Sequence, residues 1–385
     1  MRAVVTGMIA TFPVGGVAWD YGQYALGLER LGFEVWYLED TGVYSYDPRR
    51  GLYTEDFSYG VEFLQDSLAS LSPALADRWF VRGFDGTPFG AREVDVPDLV
   101  AGADIFLNVS GGCVLREEYL PNRCKILIDT DPGWNHFVVF PRDWVPAGAC
   151  GFRAHDVFTT YAGLIGRPEC ALPTFGLEWH PTRPPVVADR WHARPPGECW
   201  TTVLSWGNNY GREFEHGGAT YGSKEPEFMK IESLPGRVTA KLEVAAGGLE
   251  PPVERWRSLG WSVRDSDTVS ATLGDYQCYV EGSRGEFSVA KNAYVATGSG
   301  WFSCRSACYL AAGRPVVVQD TGFSELLDTG TGLVPFSDLN GAASALTAIE
   351  RDYDEHSQAA RAIAEEQFDA AVVLGELLER AGVAG

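Results

Sequence analysis

Ala311-Ala-Gly-Arg-Pro-Val-Val-Val318 turns a helical run, Cys304–Ala312, into a strand, Pro315–Val318, within a few residues. Proline opposes further helix, and three β-branched valines suit a strand covered on both faces. Just upstream, Gly298-Ser-Gly-Trp-Phe-Ser-Cys-Arg-Ser306 is a Gly/Ser loop running into the start of that helix, and Gly285-Glu-Phe-Ser-Val-Ala-Lys291 precedes it. Backbone N–H groups at the helix start, the positive end of its dipole and Arg305 together suit a diphosphate. Ser303 is equally well typed as a plain N-cap. Both readings stand at this stage.

Outward from that stretch the same alternation recurs. Phe323–Leu327 reads as helical and Gly332–Phe336 as strand, and Leu339–Ala381 is mostly helix, rich in Ala, Leu and Glu. Towards the N-terminus, a strand at Trp200–Ser205 is followed by a helix near Glu225–Glu232, a strand near Lys241–Ala245 and a helix near Val253–Leu259. The chain opens with a strand at Arg2–Thr6, a loop ending in Gly15-Gly16, a helix over Asp20–Leu31 stopped by Gly32, and a second strand at Glu34–Leu38. Further strands are expected at Asp104–Val109, Lys125–Ile128 and Val157–Thr160. Short apolar strands alternating with helices predict mostly parallel, doubly wound sheets. Between the two series, Pro181-Thr-Arg-Pro-Pro185 through Arg194-Pro-Pro-Gly197 is too proline-dense for helix. The expected division is therefore 1–180, a linker over 181–198, and 199–385. The terminal helices are expected near the interface, free to cross back to the first domain.

Length and composition fit this plan. A chain of 385 residues exceeds one ordinary core, and 45% hydrophobic with 22% charged residues is a globular balance. The net charge of −21 argues against nucleic acid as a partner, since such binders displace counterions with clustered Lys and Arg. No apolar run of about 20 residues exists, so no membrane span is expected. The opening Met1-Arg-Ala-Val-Val-Thr-Gly reads as a strand rather than a leader, and eight scattered cysteines without a CxxC pair point to a reducing cytoplasm and no metal site.

In the first half, Phe12-Pro-Val-Gly-Gly-Val-Ala-Trp-Asp20 is a glycine loop after a strand, ending at an acid that opens a helix. Gly15 and Gly16 allow backbone approach to a ligand, and Asp20 either complements the helix dipole or serves as a base. Asp129-Thr-Asp-Pro-Gly-Trp-Asn-His136 places two carboxylates and a histidine at a strand end, suited to acid–base work or to a plain turn. His136 is favoured there because it titrates near neutrality. Trp19, Trp134, Trp206 and Trp301 are candidate stacking platforms, weighed against core packing.

The order Ser283-Arg-Gly-Glu-Phe287, helix, Ala312-Gly-Arg-Pro-Val-Val317 resembles the C-terminal half of group-one GT-B glycosyltransferases, over about residues 200–380. The resemblance implies two Rossmann-like domains facing across a cleft. The first domain would take the acceptor, and the second a nucleotide-sugar donor, with no other cofactor and no metal. It implies transfer of a hexose or deoxysugar to a small molecule or glycan, in natural product or glycan biosynthesis. It places Lys224, Lys291, Ser303, Arg305 and Ser306 near the donor phosphates, Glu286 at the first of the family's two glutamates, and Glu325 in the Phe323–Gly332 segment facing the donor sugar. Cys308 stands where the second glutamate, the usual ribose ligand, is found. A sugar-nucleotide epimerase and a non-catalytic sugar-nucleotide-binding protein are the alternatives on this architecture. A dinucleotide-dependent dehydrogenase is disfavoured, because no GxGxxG follows a strand.

Overall fold

The computed structural model describes residues 1–91, 94–142, 149–207 and 213–383. Two compact units emerge. Unit 1 comprises Met1–Tyr161, Pro173–Val187 and Ala370–Gly385, and unit 2 comprises Ala162–Leu172 and Ala188–Asp369. The proline-dense stretch 181–198 is thus shared between them rather than standing apart. Residues 162–172 join unit 2 because their backbone bonds to a loop there, Leu164 N–H to the Ser299 carbonyl (3.0 Å) and Ala171 N–H to the Thr297 carbonyl (2.9 Å). The last helix, Ala370–Arg380, joins unit 1 by lying on Gly27, where an added Cβ would stand 2.6 Å from Leu374 Cδ1.

Unit 1 holds an eight-stranded sheet. Its strands are β1 (Arg2–Thr6), β2 (Glu34–Glu39), β5 (Trp79–Arg82), β6 (Pro88–Gly90), β7 (Ile105–Val109), β8 (Lys125–Asp129), β9 (Val157–Thr160) and β10 (Trp179–Pro181). The order is β10-β9-β8-β7-β1-β2-β5-β6, parallel throughout except for edge strand β6. A separate hairpin, β3 (Ser45–Asp47) with β4 (Leu52–Thr54), follows β2. Unit 2 is built on β11 (Cys199–Trp206), β14 (Lys241–Gly248), β15 (Ser262–Asp265), β16 (Gly285–Ser288), β17 (Val316–Gln319) and β18 (Leu333–Phe336), in the order β15-β14-β11-β16-β17-β18, all parallel. A small hairpin, β12 (Phe214–His216) with β13 (Ala219–Tyr221), follows β11.

Both sheets share one logic. The first strand sits inside, two parallel strands extend the sheet one way (with antiparallel β6 added at that edge in unit 1), and the chain then crosses to extend it the other way. That is the doubly wound order, whose switch point falls between β1 and β7 in unit 1 and between β11 and β16 in unit 2. The strands read as near-continuous apolar runs because helices cover both faces; every residue of β7, β8, β16 and β17 is buried. Trp200, Phe228, Trp256, Trp261, Phe287 and Phe336 form the aromatic heart of one core cluster in unit 2, each burial contributing roughly 1.5–3 kcal/mol.

Several elements differ from the sequence reading. Gly15 and Gly16 open helix α1 (Gly15–Arg30) instead of ending a loop, so Asp20 lies on its second turn and cannot serve the first-turn dipole role. Phe323–Glu325 is a single 3-10 turn. Helix α2 (Ser58–Leu71), the hairpin β3–β4 and strand β5 were not anticipated. Among the described residues, no helix is long and apolar enough to cross a membrane.

Candidate functional site

Unit 2 gathers four of the sequence candidates at the carboxyl edge of its sheet. The Lys224 ammonium, in the turn that starts the helix Glu225–Ile231, feels Arg305, Glu286 and Lys291 as its charged neighbours. Desolvation first, then repulsion from Arg305, pushes its pKa from 10.5 down to about 7. The Lys224 ammonium makes no hydrogen bond or ion pair among the described residues, its backbone carbonyl accepting from Phe228 N–H (2.8 Å). Lys291 stands at the N-cap of the short helix Asn292–Ala296. The two lysine loops are strapped together: Asn292 N–H donates to the Ser223 carbonyl (2.8 Å), Ala293 N–H to the Gly222 carbonyl (3.0 Å), and Gly222 N–H to Asn292 Oδ1 (3.0 Å). Behind them, buried Glu227 accepts from Asn292 Nδ2 (2.8 Å) and Gln319 Nε2 (2.6 Å). Burial raises its pKa, but Asn292, Lys230 and Gln319 outweigh that and hold it below the usual range.

Arg305 has a different place from the expected one. Its Nε donates to Glu286 Oε1 (2.6 Å), one terminal nitrogen to the Val203 carbonyl (2.7 Å), and the other to Ser288 Oγ (2.6 Å). It therefore clips β11 to β16 at the switch point, with its side chain only 13% exposed. Burial lowers the guanidinium pKa, and Glu286 more than offsets this, leaving it raised. Glu286 is fully buried, so it is a partner of Arg305 and not a group open to a ribose. Glu286 Oε2 and the Ser306 hydroxyl are buried without a hydrogen-bond partner among the described residues. Ser306 and Arg305 border a cavity of about 20 Å³ with Ser288, Trp301 and Gln319, room for one water.

Ser303 takes the N-cap position of the helix Cys304–Ala311, but its side chain makes no capping bond, which corrects the plain-cap reading. The loop before it needs glycine: Gly298 has φ +58° and Gly300 φ +73°. Gly300 N–H bonds the Thr321 carbonyl (2.8 Å), and Thr321 Oγ1 donates to the Trp301 carbonyl (2.6 Å). Trp301 stacks on Tyr294 at 4.4 Å, so it packs at the edge of this loop. Glu325 is exposed on the turn after β17, 3.9 Å from Arg167.

No known family profile matches this chain, and no curated protein is similar to it in sequence. Solved structures are similar in fold. AviGT4, a glycosyltransferase involved in avilamycin A biosynthesis, matches with a TM-score of 0.54 over 99% of this chain and 97% of its own, at 13% identity. Anabaena HepE, solved with UDP and glucose, matches with a TM-score of 0.57 over 100% of both chains, at 10% identity. The fold is GT-B.

Within this GT-B chain, the unit 1 candidates separate. Gly15, Gly16 and half-buried Asp20 lie on α1, which follows β1 at the carboxyl edge of the sheet. His136 is fully buried. Its Nε2 faces Asp129 Oδ2 at 3.1 Å, its Nδ1 the Pro173 carbonyl at 2.7 Å, and its ring packs beside Trp179 at 4.8 Å. Asp129 also accepts from Asn135 Nδ2 (2.7 Å) and Thr160 Oγ1 (2.8 Å). That closed network pins the turn after β8, so His136 is a core residue and not an acid–base group facing a ligand. Trp19 is fully buried, and Trp206 packs edge-on to Trp256 at 4.9 Å; neither is a platform.

The sequence reading passed over Asn108-Val-Ser-Gly-Gly-Cys113, the loop leaving β7 at the unit 1 switch point. Ser110 has φ +61° and Gly111 φ +62°. A non-glycine residue in that region costs on the order of 1–2 kcal/mol. Its hydroxyl lies 3.0 Å from Tyr21 Oη and 2.7 Å from Thr130 Oγ1. The Ser-Gly-Gly triplet after a buried strand was the available signal. Another missed group is Glu39, fully buried, which accepts from Ala10 N–H (2.9 Å), Thr11 N–H (2.5 Å), Thr11 Oγ1 (2.5 Å) and Tyr37 Oη (3.1 Å). It fills with its own carboxylate the N–H-lined turn after β1.

Proposed function

We propose that this chain is a glycosyltransferase that takes a sugar from a nucleoside-diphosphate donor, of the uridine type, held on unit 2. The GT-B fold supports this, as do the UDP and UDP-glucose complexes of HepE, a protein of the same fold. What carries this reading is the gathering of Lys224, Lys291 and Arg305 around Glu286, a carboxylate already bonded to Arg305, so that Lys224 feels more repulsion than attraction there. Cations gathered in a desolvated spot repel one another, and a diphosphate relieves that repulsion.

The chemistry follows from charge. As the glycosidic bond to the leaving diphosphate lengthens, negative charge builds on the bridging oxygen. Lys224 and Lys291 stabilise it, with backbone N–H groups at the start of the Cys304–Ala311 helix. Arg305 acts through Glu286 and Ser288 by holding the sheet edge in place. Ser306 takes a donor hydroxyl or a bridging water at the small cavity, and Glu325 contacts the donor sugar. Unit 1 takes the acceptor, with Gly15 and Gly16 at the start of α1 allowing close approach of a ligand and Asp20 serving as the base if the transfer inverts. The acceptor is a small molecule or a glycan.

Calorimetry with UDP tests this reading. Lys224→Ala and Lys291→Ala should each weaken UDP about 10- to 100-fold, the loss of a charge-assisted contact of about 1.5–3 kcal/mol. Unchanged affinity in both variants would remove the donor site from this edge.

A further inference from the structure

We propose that the β3–β4 hairpin of unit 1, with Phe12 and Phe84, is a binding platform for a neutral carbohydrate chain, so that the acceptor is itself a glycan. The inference rests on the glycosyl-transfer reading for its biological sense, but its geometry is independent of unit 2. Tyr44, Tyr53 and Phe84 are 42%, 47% and 44% exposed, and among the described residues no other Phe, Tyr or Trp is exposed. Their concentration at one place is unlike the scattered apolar residues of an ordinary surface.

Topology explains the concentration. Strands β1, β2 and β5 are parallel neighbours, so the segments leaving their carboxyl ends share one edge. Phe12 follows β1, the hairpin follows β2, and Phe84 follows β5. Tyr44 and Phe84 meet at 4.4 Å, Tyr46 and Tyr53 pair across the strands at 5.4 Å, and Phe12 meets Tyr53 edge-on at 6.2 Å. Alternation through β3 and the residue before it puts Tyr44, exposed, and Tyr46, half-buried, on one face while Ser45 and Asp47 are buried on the other. Two residues of strand rise separate those tyrosines, about 7 Å, a spacing that suits successive rings of a chain rather than one. The platform is also fixed: Ser45 Oγ donates to the Ala10 carbonyl (2.7 Å) and Tyr46 N–H to the Thr11 carbonyl (2.8 Å). Gly60 keeps α2 close, since a Cβ there would lie 2.0 Å from the Ala10 carbonyl oxygen.

The chemistry of the strip selects its occupant. Tyrosine offers an apolar face with a polar rim, which matches the C–H face and hydroxyl edge of a sugar ring. Arg49 and Arg50 stand against Asp47, Glu55 and Asp56 on the hairpin and Asp85 beside Phe84, a mildly acidic flank that disfavours a phosphorylated or membrane surface and suits an uncharged polyhydroxyl ligand. Arg49 is held by Asp47 (2.9 Å) and lies over the Tyr59 ring at 4.1 Å, ready to donate from a set position.

The test uses the full chain, probed on an array of neutral and acidic oligosaccharides, with saturation-transfer NMR on the best neutral binder. Tyr44→Ala, Tyr53→Ala and Phe84→Ala should each weaken that sugar three- to tenfold. The triple variant should lose saturable binding, with UDP affinity and thermal melting unchanged. Retention of no neutral oligosaccharide, or equal binding by the triple variant, overturns the proposal. A wild-type dimer that the triple variant lacks in sedimentation overturns it too, since a second copy would then cover the strip. If the sugar binds through these rings but UDP does not bind at all, the platform stands and the donor reading falls.

Discussion

Lys224 carries the most direct residue-scale consequence. With a pKa near 7 in the free protein, it is only half protonated at neutral pH, while a bound diphosphate favours its ammonium form. UDP binding should therefore take up a proton. Affinity should be highest near pH 7, fall by up to tenfold per unit above it as Lys224 loses its proton, and weaken towards pH 6 as the terminal phosphate, with a second ionisation near 6, takes one up. Calorimetric titrations of UDP from pH 6 to 9 check this, and Lys224→Arg, always charged, should flatten the profile. An unchanged wild-type affinity across that range would release Lys224 from the role. Arg305 belongs to stability as much as to binding. Arg305→Gln strands the buried carboxylate of Glu286, a loss of about 3–5 kcal/mol, and the double change with Glu286→Gln should recover much of it. Urea denaturation of the two singles and the double measures that coupling. Arg305→Glu, which from sequence alone would only repel a phosphate, should instead disrupt the unit 2 edge.

At the scale of elements, the Gly298–Ser303 loop is where sequence and geometry agree most closely and where strain is most specific. Gly300 has φ +73°, and a Cβ there would stand 3.0 Å from the Leu164 backbone nitrogen and 2.9 Å from its Cγ. Gly300→Ala should displace the loop from the Thr321 carbonyl and weaken UDP at least tenfold, while lowering the melting temperature by only a few degrees. Equal UDP binding by a folded Gly300→Ala protein would mean that the loop does not shape the donor site. The alternation of apolar runs and helix stops made β11, β14, β17 and β18 legible to within about three residues, because buried parallel strands announce themselves as Val- and Ala-rich runs, whereas β15 and the short, polar-containing β16 were not read as strands. Hairpin β3–β4 was not legible: Tyr-Ser-Tyr-Asp and Leu-Tyr-Thr are too short for a period to show, and their pairing depends on the loop after β1. Nor was the fate of His136. A histidine beside aspartates reads as chemistry until Pro173, Phe175 and Trp179, almost 40 residues away, are seen to close over it.

Across the whole molecule, the two doubly wound sheets followed from strand and helix order, and the sequence left the terminal helices free to join the first unit, as the last one does by packing on Gly27; the assignment of residues 162–172 to unit 2 did not follow, since backbone bonds to the Thr297 and Ser299 carbonyls decide it. Burial at that scale also sets how stability answers pH, and unit 1 holds two groups of opposite sign. Burial raises Glu39 from 4.5 to about 7, so between those values the folded chain keeps a proton the unfolded chain has released, and stability falls as pH rises. Burial lowers His155 from 6.5 to about 4, with Nδ1 donating to the Phe152 carbonyl (2.7 Å) and Nε2 facing the Asn108 amide at 3.1 Å. Between pH 6.5 and 4 the unfolded chain therefore holds the extra proton, and stability falls as pH drops. From about pH 4.5 to 6.5 the two slopes, each about 1.4 kcal/mol per pH unit for a full proton, cancel. Glu39→Gln removes the first slope and should leave a protein more acid-sensitive than wild type across that window. His155→Asn removes the second and should leave one whose stability rises as pH falls from 6.5 to 4.5. Urea midpoints at half-unit intervals, compared as variant minus wild type, isolate these terms from the titration of a chain with net charge −21. Parallel pH profiles for wild type and both variants would show that neither buried group is linked to folding as its surroundings require.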